Sequence, residues 1–177
     1  LPLMLERNEI GNICHEHLEY YSLLSLENLL SRHNLEVFDV ELNEVNGGSF
    51  RIYIKRKSGG EFIKVKNGAE KRIEDLRKSE KTLGLGDKIV YDDFVKRINL
   101  LRDKTSEFIK NEVSKGKKVF VYGASTKGNT LLQYYDLNFP LITAAAERNP
   151  AKWGKKTVGT SIPIISEEEA RKAMPDY

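Results

Sequence analysis

The sequence of 177 residues holds a single cysteine, Cys14. An intramolecular disulfide is therefore impossible, a cysteine-built zinc module is excluded, and a reducing, cytoplasmic setting fits best. Long apolar runs are also missing: the longest candidate, around Phe139 to Ala146, is about strand length, far from the roughly 20 residues that cross a bilayer. Excess charge is small, since 29 Lys and Arg against 26 Asp and Glu leave +3. Basic residues are interleaved with acids, as from Lys66 to Lys81, so charge lends no support to nucleic-acid binding. No signal-peptide pattern opens the chain, which begins at Leu1 and stops at Pro175-Asp176-Tyr177, where an apolar strand would fit; it reads as a piece of a longer protein. A composition of 40% hydrophobic and 31% charged residues is that of a globular protein with one compact domain or two small lobes. Nothing in it sets an oligomeric state.

Residues 1–22 lack sustained helical periodicity and read as an extended leading segment. From Ser25, a candidate cap, Leu26, Leu29 and Leu30 recur at helical spacing until His33-Asn34. Val37 to Leu42 and Ser49 to Arg56 alternate around the turn signal Asn46-Gly47-Gly48, which predicts a hairpin. Between Lys64 and Gly116, Ile73, Leu76 and Leu83, then Phe94, Ile98, Leu101, Phe108 and Val113, recur at helical intervals and predict a long helix from about Tyr91 to Ser114. After Gly116 the pattern is strand, glycine loop, helix, then apolar strands over Leu141 to Ala146 and Ile162 to Ile165 and a helix over Glu167 to Met174. Alternating strands and helices imply a Rossmann-like parallel sheet with flanking helices in the C-terminal half. The fold class is α/β, divided into a leading part with helix and hairpin (1–66), a helical segment (67–116) and a Rossmann-like part (117–177).

The loop Gly123-Ala124-Ser125-Thr126-Lys127-Gly128-Asn129-Thr130 approaches two phosphate-binding patterns without satisfying either. Against G-x-G-x-x-G, Ser125 replaces the middle glycine. Against G-x-x-x-x-G-K-[ST], Asn129 stands where lysine belongs, although Thr130 fits. What is left is a helix start with free backbone N–H groups, two hydroxyls and Lys127, a set suited to anions; a turn whose glycines serve only packing is the alternative. Glu147 lies 24 positions after Gly123, where a nucleotide-binding fold places a ribose-binding carboxylate, and Arg148, Asn149 and Lys152 follow.

Cys14-His15-Glu16-His17 is the densest cluster of ionisable groups. In an extended segment His15 and His17 share one face and Glu16 takes the other. The spacing is not that of a metalloprotease helix and no further ligand is evident, so no metal site is assigned. A Cys-His nucleophilic pair is sterically poor between direct neighbours. General-base chemistry remains, with a histidine oriented by an adjacent carboxylate.

Asn12-Ile13-Cys14-His15-Glu16-His17-Leu18-Glu19-Tyr20-Tyr21-Ser22, then Leu35 to Val40, Asn46 to Arg51, Tyr122 to Thr130 and Arg148-Asn149-Pro150 occur in the order in which they resemble the C-terminal region of S-adenosylmethionine-dependent sugar C-methyltransferases. The likeness runs from about Leu5 to Tyr177. It implies a Rossmann-like domain of an enzyme that methylates a carbon next to the keto group of a nucleotide-linked deoxysugar, with S-adenosylmethionine bound by another domain and zinc held in an N-terminal one. It implies that His17 is the base, aided by Glu16 and flanked by His15, and that substrate contacts fall on Cys14, Tyr21, Ser22, Gly48, Ser49, Arg51, Gly123, Ser125, Thr126, Lys127, Gly128, Asn129, Thr130, Glu147, Arg148 and Asn149. The better-known sugar enzymes carry tyrosine where this chain has Cys14, which removes a phenol contact. The partner implied is a nucleotide-diphosphate sugar, and this piece alone is expected to be inactive. A non-catalytic nucleotide-sugar-binding module and a dinucleotide-dependent oxidoreductase fragment are the alternatives, the latter disfavoured by Ser125.

Overall fold

The computed structural model describes residues 1–58 and 65–177, so Lys64, the expected start of the charged helical stretch, lies outside the described residues. They form two compact units, Leu1–Glu9 with Leu18–Val95, and Ile10–His17 with Lys96–Tyr177.

The first unit opens with α1 (Pro2–Arg7), which corrects the expectation that residues 1–22 are extended throughout. Pro2 occupies the helix start, where its fixed φ is already helical and its missing N–H leaves nothing unsatisfied. Asn8 ends the helix in the left-handed conformation, φ 57°. α2 (Leu23–Ser31) is capped by Ser22 rather than Ser25. The Ser22 hydroxyl accepts from the Ser25 N–H at 3.1 Å and the Ser25 hydroxyl accepts from the Ser22 N–H at 2.9 Å, a reciprocal box.

β1 (Leu35–Asn43) and β2 (Ser49–Arg56) pair antiparallel, from Leu35 opposite Arg56 to Asn43 opposite Ser49, with an irregularity between Val37 and Asp39. The connection is a 3-10 turn, Val45–Gly47, in which Gly47 (φ 83°) and Gly48 (φ 121°) take conformations closed to most other residues. α3 (Ala69–Leu83) packs on β1, and Leu23, Val40 and Ile73 form the core with Val37, Ile52 and Leu76 around them. Two carboxylates are buried here. Asp39 takes the Arg72 guanidinium at 2.9 and 2.7 Å, which holds its pKa below the usual range. Glu80, fully buried, accepts from the Leu23 and Leu24 N–H groups at 2.6 and 3.0 Å and so caps α2 from another helix.

α4 (Lys88–Ser114) is the long helix that periodicity predicts, and the division between the units falls within it. The second unit contains β3 (Phe120–Tyr122), α5 (Thr126–Tyr134), β4 (Ala144–Glu147), β5 (Ile164–Ser166) and α6 (Glu167–Ala173). The strands form a parallel sheet in the order β3-β4-β5, with Phe120 beside Ala144 and Ala145 beside Ile164. The anticipated Rossmann-like alternation is present, with strands shorter and later than the apolar runs. The run from Leu141 begins before the strand because Ile142 is core in the turn leading into it. Val119, Leu132, Leu137, Ala145, Ile162 and Ile164 complete that core.

On the side of β3 away from β4, Tyr177 donates its N–H to the Lys118 carbonyl and accepts from the Phe120 N–H. These are the two bonds by which a parallel strand straddles one residue of its neighbour. β3 is thus hydrogen-bonded along both edges, and the loop leaving its carboxyl end lies at the end of the parallel strands where open α/β sheets bind ligands.

Candidate functional site

That loop is built from the end of β3 and the start of α5. Gly123 donates to the Ala146 carbonyl at 2.7 Å and takes φ 98°, so the tight turn requires glycine there. Ser125 caps α5, its hydroxyl accepting from the Gly128 N–H at 3.1 Å. Asn129 donates its N–H to the Ser125 carbonyl, and the Thr130 hydroxyl donates to the Thr126 carbonyl at 3.2 Å. Among the described residues, the N–H groups of Ser125 and Thr126 have no acceptor. They lie at the positive end of the α5 dipole, the place where an anion is most stabilised. Gly128 is helical, and a Cβ there would sit 3.4 Å from the Ser125 hydroxyl, so nothing approaches its backbone closely.

Glu147 stands at the carboxyl end of β4, as its spacing predicts, but its oxygens already have partners. Oε2 accepts from the Ala124 N–H at 2.9 Å, Oε1 from the Asn149 N–H at 3.0 Å, and the Lys152 ammonium lies 3.3 Å from Oε2. Backbone donors, Asn149 first, and then Lys152 push its pKa down to about 2. The Lys152 ammonium also donates to the Ala124 carbonyl at 2.8 Å. Asn149 caps the short turn Pro150–Lys152. Arg148 is largely exposed, donates to Glu167 at 2.6 Å and lies 5.9 Å from the Tyr122 ring centroid. Beside the residues singled out from sequence, Lys152 among them, Ala124, Tyr122 and Glu167 therefore belong to this cluster. Their only sequence signal was position at a strand end or helix start.

Residues Ile10–His17 join the same unit, with Gly11 against α5: a Cβ on Gly11 would stand 3.2 Å from the Lys127 Cβ. Here the expectation of an extended strand is corrected. His17 donates its backbone N–H to the Cys14 carbonyl at 3.0 Å, closing a turn over His15 and Glu16, so the two histidines do not share a strand face. His15, Glu16 and His17 are exposed and Cys14 is half-buried. His17 Nδ1 lies 2.8 Å from the Asn12 carbonyl oxygen. A carbonyl only accepts, so Nδ1 carries the hydrogen, and in the neutral ring the lone pair is on Nε2.

The remaining predicted residues lie in the first unit. Tyr21, Gly48 and Ser49 share a cavity of about 300 Å³ with Leu26, Leu76 and Glu80. Tyr21 donates to Glu19, which raises its phenol pKa. Ser22 is buried in its cap, and Arg51 is 3.7 Å from Glu41 on β2's exposed face. Neither lines that cavity.

The chain has counterparts among known proteins. A family model of the C-methyltransferase C-terminal domain matches residues 44–177. The chain belongs to this family. It is also similar to the C-methyltransferase NovU of Streptomyces niveus, 32% identical over 174 residues, covering 98% of this chain. The chain spans 40% of that relative's length. Among the described residues of this C-methyltransferase C-terminal domain, no helix is long and apolar enough to cross a membrane. No group of three or more His, Cys, Asp or Glu side chains among them converges on a metal position.

Proposed function

We propose that this chain is the substrate-binding and base-bearing domain of an S-adenosylmethionine-dependent C-methyltransferase acting on a nucleotide-linked keto-deoxysugar. The observation that carries the reading is that His17, with its Nε2 lone pair left open, belongs to the same compact unit as a glycine loop with two unpaired N–H groups. One ligand with a diphosphate at one end and an acidic carbon at the other would use both.

A proton next to a ketone leaves only with a positioned base. His17 Nε2 takes it: the new N–H bond forms as the C–H bond breaks, and the electron pair moves into the enolate. The imidazolium keeps its Nδ1–H on the Asn12 carbonyl. Glu16 assists or holds sugar hydroxyls, with His15 and Cys14 beside it. Gly123, Ser125, Thr126, Lys127, Gly128, Asn129 and Thr130 anchor the diphosphate, with Arg148 and Asn149 at the rim. Tyr21, Ser22, Gly48, Ser49 and Arg51 are further substrate contacts in this reading.

The methyl donor is a sulfonium cation, and this loop offers the positive end of a helix with Lys152 beside it. The residues present do not fit that donor, and its site is proposed for another domain, with zinc in a further one. The chain on its own is then inactive and works in the cytoplasm as part of the larger enzyme.

The test follows the proton. In deuterated buffer, the intact enzyme is expected to exchange the hydrogen on the carbon to be methylated, and His17→Ala to abolish that exchange while nucleotide-sugar binding stays nearly unchanged. Exchange that persists in His17→Ala overturns the assignment.

A further inference from the structure

We propose that Glu147, together with Lys152, is a positioning residue for the glycine loop rather than a ligand of the ribose. The proposal rests on the reading that the loop holds a diphosphate.

The geometry concerns two consecutive peptide planes. The Ala124 N–H, in the plane shared with Gly123, is held by Glu147 Oε2 at 2.9 Å. The Ala124 carbonyl, in the plane shared with Ser125, is held by the Lys152 ammonium at 2.8 Å. A trans peptide is planar, and its C=O and N–H point in opposite directions. Drawing the Ala124 carbonyl towards Lys152 therefore turns the Ser125 N–H away from Lys152. That N–H is one of the two left without an acceptor among the described residues. The carboxylate and ammonium also neutralise one another at 3.3 Å, so an anion arriving at the loop does not meet an uncompensated carboxylate.

A carboxylate that binds a ribose diol needs lone pairs facing the sugar. Here each Glu147 oxygen has a backbone N–H, from Ala124 and from Asn149, and Oε2 has Lys152 as well. The low pKa of the carboxyl, about 2, agrees with an anion fully engaged by donors. The sequence spacing that marks a ribose carboxylate in nucleotide-binding folds has here produced a brace for the loop next door.

The two roles separate with a ligand that has no ribose. Inorganic pyrophosphate and uridine diphosphate, which carries the ribose diol, are titrated into the intact enzyme as wild type, Glu147→Ala, Glu147→Gln and Lys127→Ala. Positioning predicts that Glu147→Ala weakens both ligands by the same factor, about tenfold, and that Glu147→Gln, which keeps one acceptor oxygen, recovers part of the loss. It also predicts a raised KM for the nucleotide sugar with kcat little changed, whereas a purely structural defect lowers the active fraction and hence kcat alone. Loss confined to uridine diphosphate makes Glu147 a ribose ligand and overturns the proposal. Wild-type affinity in Glu147→Ala alongside a loss in Lys127→Ala overturns the positioning role and leaves the diphosphate reading standing. A wild type that binds neither ligand overturns that reading and the positioning role with it. If Glu147→Ala fails to fold, Lys152→Met, which releases the Ala124 carbonyl and the ion pair with Glu147 together but keeps the Glu147 bond to the Ala124 N–H, carries the same comparison and the same outcomes.

Discussion

The carboxylate of Glu147, at the end of one strand, holds the backbone N–H of Ala124, just past the end of the neighbouring strand, at 2.9 Å. This bond ties the glycine loop to the sheet through a charge, and so makes it sensitive to acid. The folded-state pKa is about 2 against an ordinary 4.5. A depressed carboxylate stabilises the fold fully above its unfolded value; that contribution falls as pH drops from about 4.5 to about 2, where the unfolded chain binds the proton first, and is gone below. We expect Glu147→Gln to flatten the pH dependence of stability in that window and to leave it unchanged above about pH 5. Urea midpoints measured across pH 2 to 7 on both proteins check this, and parallel curves would refute it.

The two glycines of the loop differ in what they need. Gly123 has open space where a Cβ would go but sits at φ 98°, a conformation that L side chains rarely adopt. Gly123→Ala is expected to cost about 1 to 3 kcal/mol from backbone strain alone. Gly128 is helical and its added Cβ would make only an ordinary contact with the Ser125 hydroxyl, so Gly128→Ala is expected to be neutral or to stabilise by up to about 1 kcal/mol. Thermal or urea unfolding of the two variants distinguishes them, and an equal loss at both positions would contradict the assignment of strain to Gly123.

Reading the loop from sequence worked because its signals are local: an apolar strand, a glycine and a capping hydroxyl within eight residues dictate strand, turn and helix. The hairpin was legible for the same reason, through Asn46-Gly47-Gly48 between two alternating runs. Other features depend on distant partners. Ser22 and Ser25 are equally good caps by composition, and Ser22 takes the role where the Leu23 and Leu24 N–H groups meet Glu80, more than fifty residues away. The turn at Cys14–His17 was hidden because a polar string carries no periodicity to contradict an extended reading. Glu147 was located by spacing, yet its role follows from Ala124 and Lys152, whose positions only the folded sheet defines.

Glu80 gives a prediction about the first unit. Its side chain is fully buried, and it satisfies two N–H groups at the start of α2 that have no partner within the helix. Glu80→Ala leaves both donors without that acceptor, at a cost of about 1 to 3 kcal/mol for the buried Leu23 N–H and less for the part-buried Leu24 N–H. Glu80→Gln keeps one acceptor and should lose roughly half as much. Amide hydrogen exchange at Leu23 and Leu24 should accelerate in Glu80→Ala well before the rest of α2. Unchanged exchange would show that the Ser22 cap suffices without Glu80.

Lys127 tests the anion reading of the loop without disturbing its backbone. It lies in the first turn of α5, next to the unpaired Thr126 N–H, and its Cβ faces Gly11 of the segment that carries His17. Charge-assisted contacts to phosphate are worth about 1.5 to 3 kcal/mol, so Lys127→Ala is expected to weaken nucleoside-diphosphate binding about tenfold or more. The same loss should shrink as salt rises, because a partly exposed cation acts through a screened field. Lys127→Arg should retain most of the affinity, since charge rather than shape is what the contact supplies. If the loop's glycines serve packing alone, calorimetry will give equal affinities for wild type and Lys127→Ala at every ionic strength, and the diphosphate must bind elsewhere.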